Sequence, residues 1–205
     1  LGPMSLRPGL GYLGNTKSDA AARFFPFVFS TTDTALIEFT DAVMRVWVND
    51  ALITRPSVST AVTNGNFDTD LTGWTDNDEV GAASTWAAGG FMALLGDGTN
   101  AAIRDQAVSV SAPDQNVQHA LRILVPVGSV ILRVGSTLGN DDYVSETELG
   151  AGAHSLTLTP TGGTIYIRLL NRKNYANYVS SCNVEAAGVM ELPTQIGRAS
   201  CRERV

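Results

Sequence analysis

Cysteine is nearly absent: Cys182 and Cys201 are the only two in 205 residues. Two cysteines make neither a disulfide framework nor a zinc site. Histidine is as scarce, with His119 and His154 alone, and neither belongs to a triad or a metal motif. Both fall in strand-like runs and read as strand histidines with satisfied hydrogen bonds. Charged residues make up 17%, below the usual quarter. The balance is acidic, with 14 Lys+Arg against 20 Asp+Glu and a net charge of -6, so no footprint for a nucleic-acid backbone exists. No apolar run approaches the roughly 20 residues of a membrane-spanning helix, so no membrane insertion is expected. Residues 1–14 lack the basic stretch and apolar core of a signal peptide. No segment keeps a 3.6-residue period over three turns, which disfavours helix throughout. Gly96-Asp97-Gly98 reads as a tight turn, since no Gly-Lys-Ser follows to make a phosphate loop.

Apolar residues, in contrast, reach 44%, enough for a sizeable core, and this excludes wholesale disorder. The length suits one domain, or one domain plus a fragment of another. Residues 1–22 read as an extended lead-in. Residues 23–50 then predict a β-meander of three short strands. The first, Arg23–Phe29, carries Pro26 and so reads as an edge or bulged strand. Thr34–Phe39 and Ala42–Val48 follow, turned at Thr40-Asp41. In the last run Val43, Arg45, Trp47 and Asn49 alternate with Met44, Val46 and Val48. About 28 such residues with one apolar face are not stable alone. Residues 1–50 are therefore expected to need a partner, and 64–187 to fold independently.

Residues 51–63 read as a linker. Beyond them, short alternating runs recur between Gly/Asn/Asp turns over 64–187. Strands are predicted at Asn66–Asp68, Trp74–Asp76, Ala83–Ala87, Phe91–Leu95 and Ala101–Val110. Val117–Pro126, Ser129–Ser136, Asp142–Leu149, His154–Thr159, Thr164–Asn171 and Tyr178–Ala186 follow. Regular short strands of this kind predict an all-β sandwich or barrel.

Asn64-Gly65-Asn66-Phe67, followed by Gly73-Trp74, resembles the opening of carbohydrate-binding-module-like jelly rolls. The resemblance implies a jelly-roll-like antiparallel β-sandwich over 64–187, with Phe67 and Trp74 as core anchors and Gly65 turning the chain into the first strand. The flanks resemble tailed-phage tail proteins. The residues concerned are Leu6-Arg7-Pro8-Gly9, Arg23–Phe29, Ala35–Asp41, Met44–Trp47 and Ala187–Pro193. In that family a lectin-like domain can be inserted between repeated β units, which implies that 188–195 begin a further, truncated unit. Ile196–Val205 resembles the translation of a common short-read sequencing adapter, and implies a reading frame cut at its C-terminal end. Without its three arginines and one glutamate, 14 basic and 20 acidic residues become 11 and 19, formally -8.

The two resemblances imply a virion component that contacts a host-surface glycan or neighbouring tail proteins, as a homo-oligomer in the full-length protein. Binding would be noncovalent, and no enzyme is expected. Two alternatives stay open: a purely structural decoration domain, and a non-catalytic part of a glycan-cleaving tailspike. Sugars stack their C–H faces on aromatic rings. The exposed-looking candidates are Trp86, Tyr143, Tyr175 and Tyr178, with Arg172 in a small basic spot beside Lys173 and Arg168. Each ring has an alternative as a half-buried sheet residue or rim tyrosine. Similar sandwiches often hold structural calcium near their first and last strands, which implies Asp68 and Glu185 as its acids; solvated turn acids are the alternative. Cys182 reads as a small buried residue.

Overall fold

A computed structural model of the protein describes residues 13–30, 34–41 and 43–193. The adapter-like segment and residues 1–12 of the lead-in lie outside the described residues. Among the described residues, regular structure is strand apart from two 3-10 turns at Lys17–Asp19 and Ala112–Asp114. The strands run β1 (Arg23–Val28), β2 (Thr34–Thr40), β3 (Val43–Val48), β4 (Ala51–Leu52), β5 (Thr54–Arg55) and β6 (Thr75–Asp76). Next are β7 (Ala83–Ala87), β8 (Phe91–Leu95), β9 (Ala102–Ser109), β10 (His119–Val125), β11 (Val130–Gly135) and β12 (Val144–Leu149). The series ends with β13 (Gly152–Leu158), β14 (Thr164–Asn171), β15 (Asn177–Val179), β16 (Ser181–Val184), β17 (Gly188–Val189) and β18 (Leu192–Pro193). The chain divides at Ile53/Thr54 and again at Gly188/Val189 into two compact units.

The first unit is the predicted meander, in the order β1-β2-β3-β18 with β4 also on β3. Pro26 lies in a terminal strand of this sheet, opposite Leu36. A proline has no N–H to give to β2, so the strand can hold it only where its nitrogen faces the open edge. Asn49 and Asp50 both take left-handed φ, 49° and 61°, as a two-residue hairpin between Val48 and its partner Ala51 requires. Residues 188–195, read as the start of a further unit, instead return Leu192–Pro193 to β3.

The buried face of the meander is polar. Glu38 pairs with Arg45 across β2 and β3, and the Glu38 side chain has no exposed surface. Its Oε1 accepts from Arg45 Nη2 at 2.7 Å and from the Lys17 amide at 2.9 Å. Oε2 accepts from Trp47 Nε1 at 3.0 Å and Arg45 Nη2 at 2.8 Å. Arg45 Nη2 also reaches the Asn15 carbonyl at 2.9 Å. A buried charge is tolerable only when its lone pairs are filled in this way.

The second unit is an antiparallel β-sandwich. One layer is the five-stranded sheet β12-β11-β14-β9-β6. The other consists of β13-β10-β16 and β15-β8-β7. Only Ser180 separates β15 from β16; its N–H donates to the Leu124 carbonyl at 2.9 Å, and Val127 bridges to Tyr178. The two three-stranded pieces therefore act as one layer. From β8 to β11 each successive strand changes layer, and the chain crosses again from β12 to β15, in the manner of a jelly roll. Period-two alternation supplies the core: Ile165, Ile167 and Leu169 from β14 meet Leu121, Ile123 and Val125 from β10.

The opening motif is core, as expected, but not as a strand. Phe67 is fully buried with its ring 5.7 Å from that of Trp74, yet its φ is 54° and residues 63–66 form turns. The predicted strand at Asn66–Asp68 is thus replaced by a bend that drops the phenyl ring between the layers. Gly65 is needed for close approach and not for turning. A Cβ there would lie 2.1 Å from Asn183 Oδ1 and 2.3 Å from the Cys182 carbonyl. The strand read at Tyr178–Ala186 is broken at Ser180, and the others agree to within two residues of their ends.

Burial alone would raise the Glu38 pKa. Its hydrogen bonds from Arg45, Lys17 and Trp47 outweigh this and hold it below the ordinary 4.5. A depressed carboxylate stabilises the fold above its unfolded pKa, and that contribution is lost as pH falls through the folded value. The Trp47 indole N–H resonance is expected to collapse on acidification below about pH 4.5. Glu38→Gln, which leaves Arg45 buried without its counter-charge, is expected to cost about 3–5 kcal/mol and to remove this acid transition of the Trp47 resonance.

Candidate functional site

The hairpin β7–β8 closes through Ala88-Gly89-Gly90, with φ of 98° and 82° at the two glycines. A Cβ on Gly89 would lie 2.7 Å from the Phe91 ring, so the bare turn leaves that ring its place. Along β8, Met92 and Leu94 are fully buried and enter the core. Phe91, Ala93 and Leu95 therefore point away from it. Register carries this outward face to the neighbours: Ala93 lies opposite Thr85 on β7 and Tyr178 on β15. Phe91 and Tyr178 pack edge to face, with centroids 6.1 Å apart and planes at 82°. Val127, 55% exposed, bridges to Tyr178, and Leu95 is 41% exposed. The result is a partly exposed aromatic pair with apolar shoulders. No charged residue occurs in β7, β8 or β15.

The other predicted rings are not brought to this face. Trp86 lies opposite Met92 and so on the core side of an edge strand. It remains 38% exposed, and its Nε1 donates to the Phe67 carbonyl at 2.7 Å. Its visible edge is the rim of a bracing contact behind the Tyr178 face. The Tyr143 hydroxyl contacts Thr161 Oγ1 at 3.0 Å and accepts from the Thr161 amide at 3.1 Å, while its ring packs on the core. Tyr143 ties two loops together.

Tyr175 and Arg172 belong to the loop after β14. Asn171 shapes this loop, donating to the carbonyls of Leu94 at 2.8 Å and Tyr175 at 2.9 Å. Tyr175 is 51% exposed, with Lys173 Nζ 5.9 Å from its ring centroid. Lys173 also reaches Ser129 at 2.7 Å and pairs with Glu148. Arg172 shares Glu146 with Arg133. These ion pairs hold both glutamates below the ordinary carboxylate range and raise Lys173. The basic spot is thus neutralised by its own acids.

Of the acids implied for calcium, Glu185 is held by Arg55 at 2.6 Å and Arg122 at 3.4 Å, and accepts from Ser155 at 2.8 Å. Asp68 is exposed in the bend after Phe67. Among the described residues, no group of three or more His, Cys, Asp or Glu side chains gathers in a metal-holding arrangement. His119 is buried, with Nε2 2.8 Å from Thr60 Oγ1 and Nδ1 2.9 Å from the Val117 carbonyl. His154 Nε2 lies 2.7 Å from the Gly150 carbonyl. Burial pushes the Cys182 thiol up to about 12, which makes it inert as a nucleophile at neutral pH.

Phe91 is the residue that sequence reading passed over. Its strand is plain in the run Phe-Met-Ala-Leu-Leu. Which alternate set faces outward depends on the partner layer, and a lone β8 does not reveal that.

No protein-family model matches the chain, and no curated protein matches it.

Tyr143→Phe removes both hydroxyl contacts to Thr161. It is expected to lower sandwich stability by about 0.5–1.5 kcal/mol in denaturant titrations and to leave the Phe91–Tyr178 resonances in place.

Proposed function

We propose that the chain is part of a tailed-phage tail protein whose β-sandwich binds a host-surface glycan without covalent chemistry. The observation that carries this reading is the outward Phe91–Tyr178 pair on an uncharged, partly apolar sheet face. Aromatic rings present a negative face to the slightly positive C–H groups of a sugar ring, and hydroxyls at the rim take the polar edge. Thr85, exposed opposite Ala93, supplies such a hydroxyl. A shallow open face gives weak binding, and repetition on a symmetric tail would convert weak sites into avidity.

A second reading makes the chain a structural virion component that binds neighbouring tail proteins. It is favoured by β1, all six residues of which are exposed. Phe24 and Val28 on one face of this edge strand, Phe25 and Phe27 on the other, and the following Phe29 are all exposed apolar side chains. A groove of about 380 Å³ lies beside the strand, lined by Pro26, Val28, Leu36 and Trp47 among others. Both surfaces can serve one tail protein.

A glycan array probed with the whole chain separates the two. The glycan reading expects binding that is lost in Phe91→Ala and Tyr178→Ala but kept in Tyr143→Phe. A folded chain that binds nothing across a broad array leaves the structural reading alone.

A further inference from the structure

We infer that the Phe91–Tyr178 face selects neutral glycans that present a methyl group, as on a 6-deoxy or N-acetylated sugar, and rejects anionic ones. The inference rests on the glycan reading and adds the class of ligand to it.

The first support is where the charges of the sandwich lie. The outer face of the five-stranded sheet carries Arg168 paired with Asp105 at 2.7 Å and the Arg133–Glu146–Arg172 group. The outer side of β13-β10-β16 carries Arg122 and Glu185. The strands β7, β8 and β15 put no charged residue on their outer side, and the Arg104 and Asp78 side chains that reach β7 bond to its buried Ser84. An anionic sugar placed there would lose hydration without meeting a cation, on a chain of net charge -6, and this is unfavourable. Uronic and sialic acids are thereby disfavoured.

The second support is the apolar border of the ring pair. Tyr178 has Ala93 on one side and Val127 on the other, with Leu95 two residues beyond Ala93 on the same outward face. A sugar edge made only of hydroxyls would be left with unmet hydrogen bonds against these side chains. A methyl group meets them without that penalty, and its burial strengthens binding roughly fourfold.

Matched probes test this on the whole chain by NMR titration. Triacetylchitotriose is compared with cellotriose, D-fucose with D-galactose, and trigalacturonate serves as the anion. The expected result is tighter binding of the methyl-bearing member of at least one pair, by roughly fourfold or more, with no binding of trigalacturonate. Leu95→Ser, at an exposed position, is expected to shrink that preference while keeping the fold. Equal affinity within both pairs, or binding of trigalacturonate, with all binding lost in Phe91→Ala, would overturn the ligand class and leave the platform standing. Binding that survives Phe91→Ala, or no binding by a folded chain, would overturn the platform and the class together.

Discussion

Phe67 has no surface in contact with water, and the sandwich closes around it. A phenyl-bearing residue at a φ of 54° pays about 1–2 kcal/mol in backbone strain, and burying its ring returns about 1.5–3 kcal/mol. The bend that carries the ring is pinned from both sides. The Cys182 amide donates to the Gly65 carbonyl at 2.7 Å, and the Trp86 indole to the carbonyl of Phe67 itself at 2.7 Å. These two bonds join the bend to β16 and to β7. The edge of the layer that carries Phe91 and Tyr178 is therefore fixed by the same residue that fills the core.

The first unit is stabilised by a different kind of interaction. Its one fully buried large side chain among the described residues is a glutamate, and its specificity comes from directed hydrogen bonds to Arg45, Trp47 and the Lys17 backbone. Hydrophobic surface, meanwhile, remains outside on β1. This sheet keeps its ion pair inside beside Trp47 and leaves Phe24, Phe25 and Phe27 of its edge strand exposed.

Much of this was legible in the residue order. The alternation in Thr164–Asn171 and the turn residues around it identified β14 to the residue, and the meander with Pro26 at its edge followed from proline's missing donor. The position of Phe67 was legible as core but not as a bend, because a positive φ at a phenylalanine has no local signal; it is imposed by the meeting of Gly65 with Cys182 and Asn183, more than a hundred residues away. Glu38 and Arg45 were unremarkable in sequence, since strand pairing alone makes them neighbours. The candidate rings show the same limit. Composition marked Trp86 and Tyr178 alike, and only register, Met92 opposite one and Ala93 opposite the other, sends them to opposite faces. Tyr143 stands beside Asp141 and Asp142 in the sequence, which says nothing of Thr161, the residue that engages its hydroxyl.

The face left by this sorting is small, uncharged and aromatic, and its partner is to be found by mapping. The most direct measurement is the shift of assigned aromatic resonances on adding triacetylchitotriose and, separately, D-fucose to the whole chain, read with whichever of them binds. The account predicts changes at Phe91 and Tyr178, with Trp86 and Tyr143 still. Changes confined to Tyr175 or Tyr143, or no change at any ring of the folded chain, would contradict it.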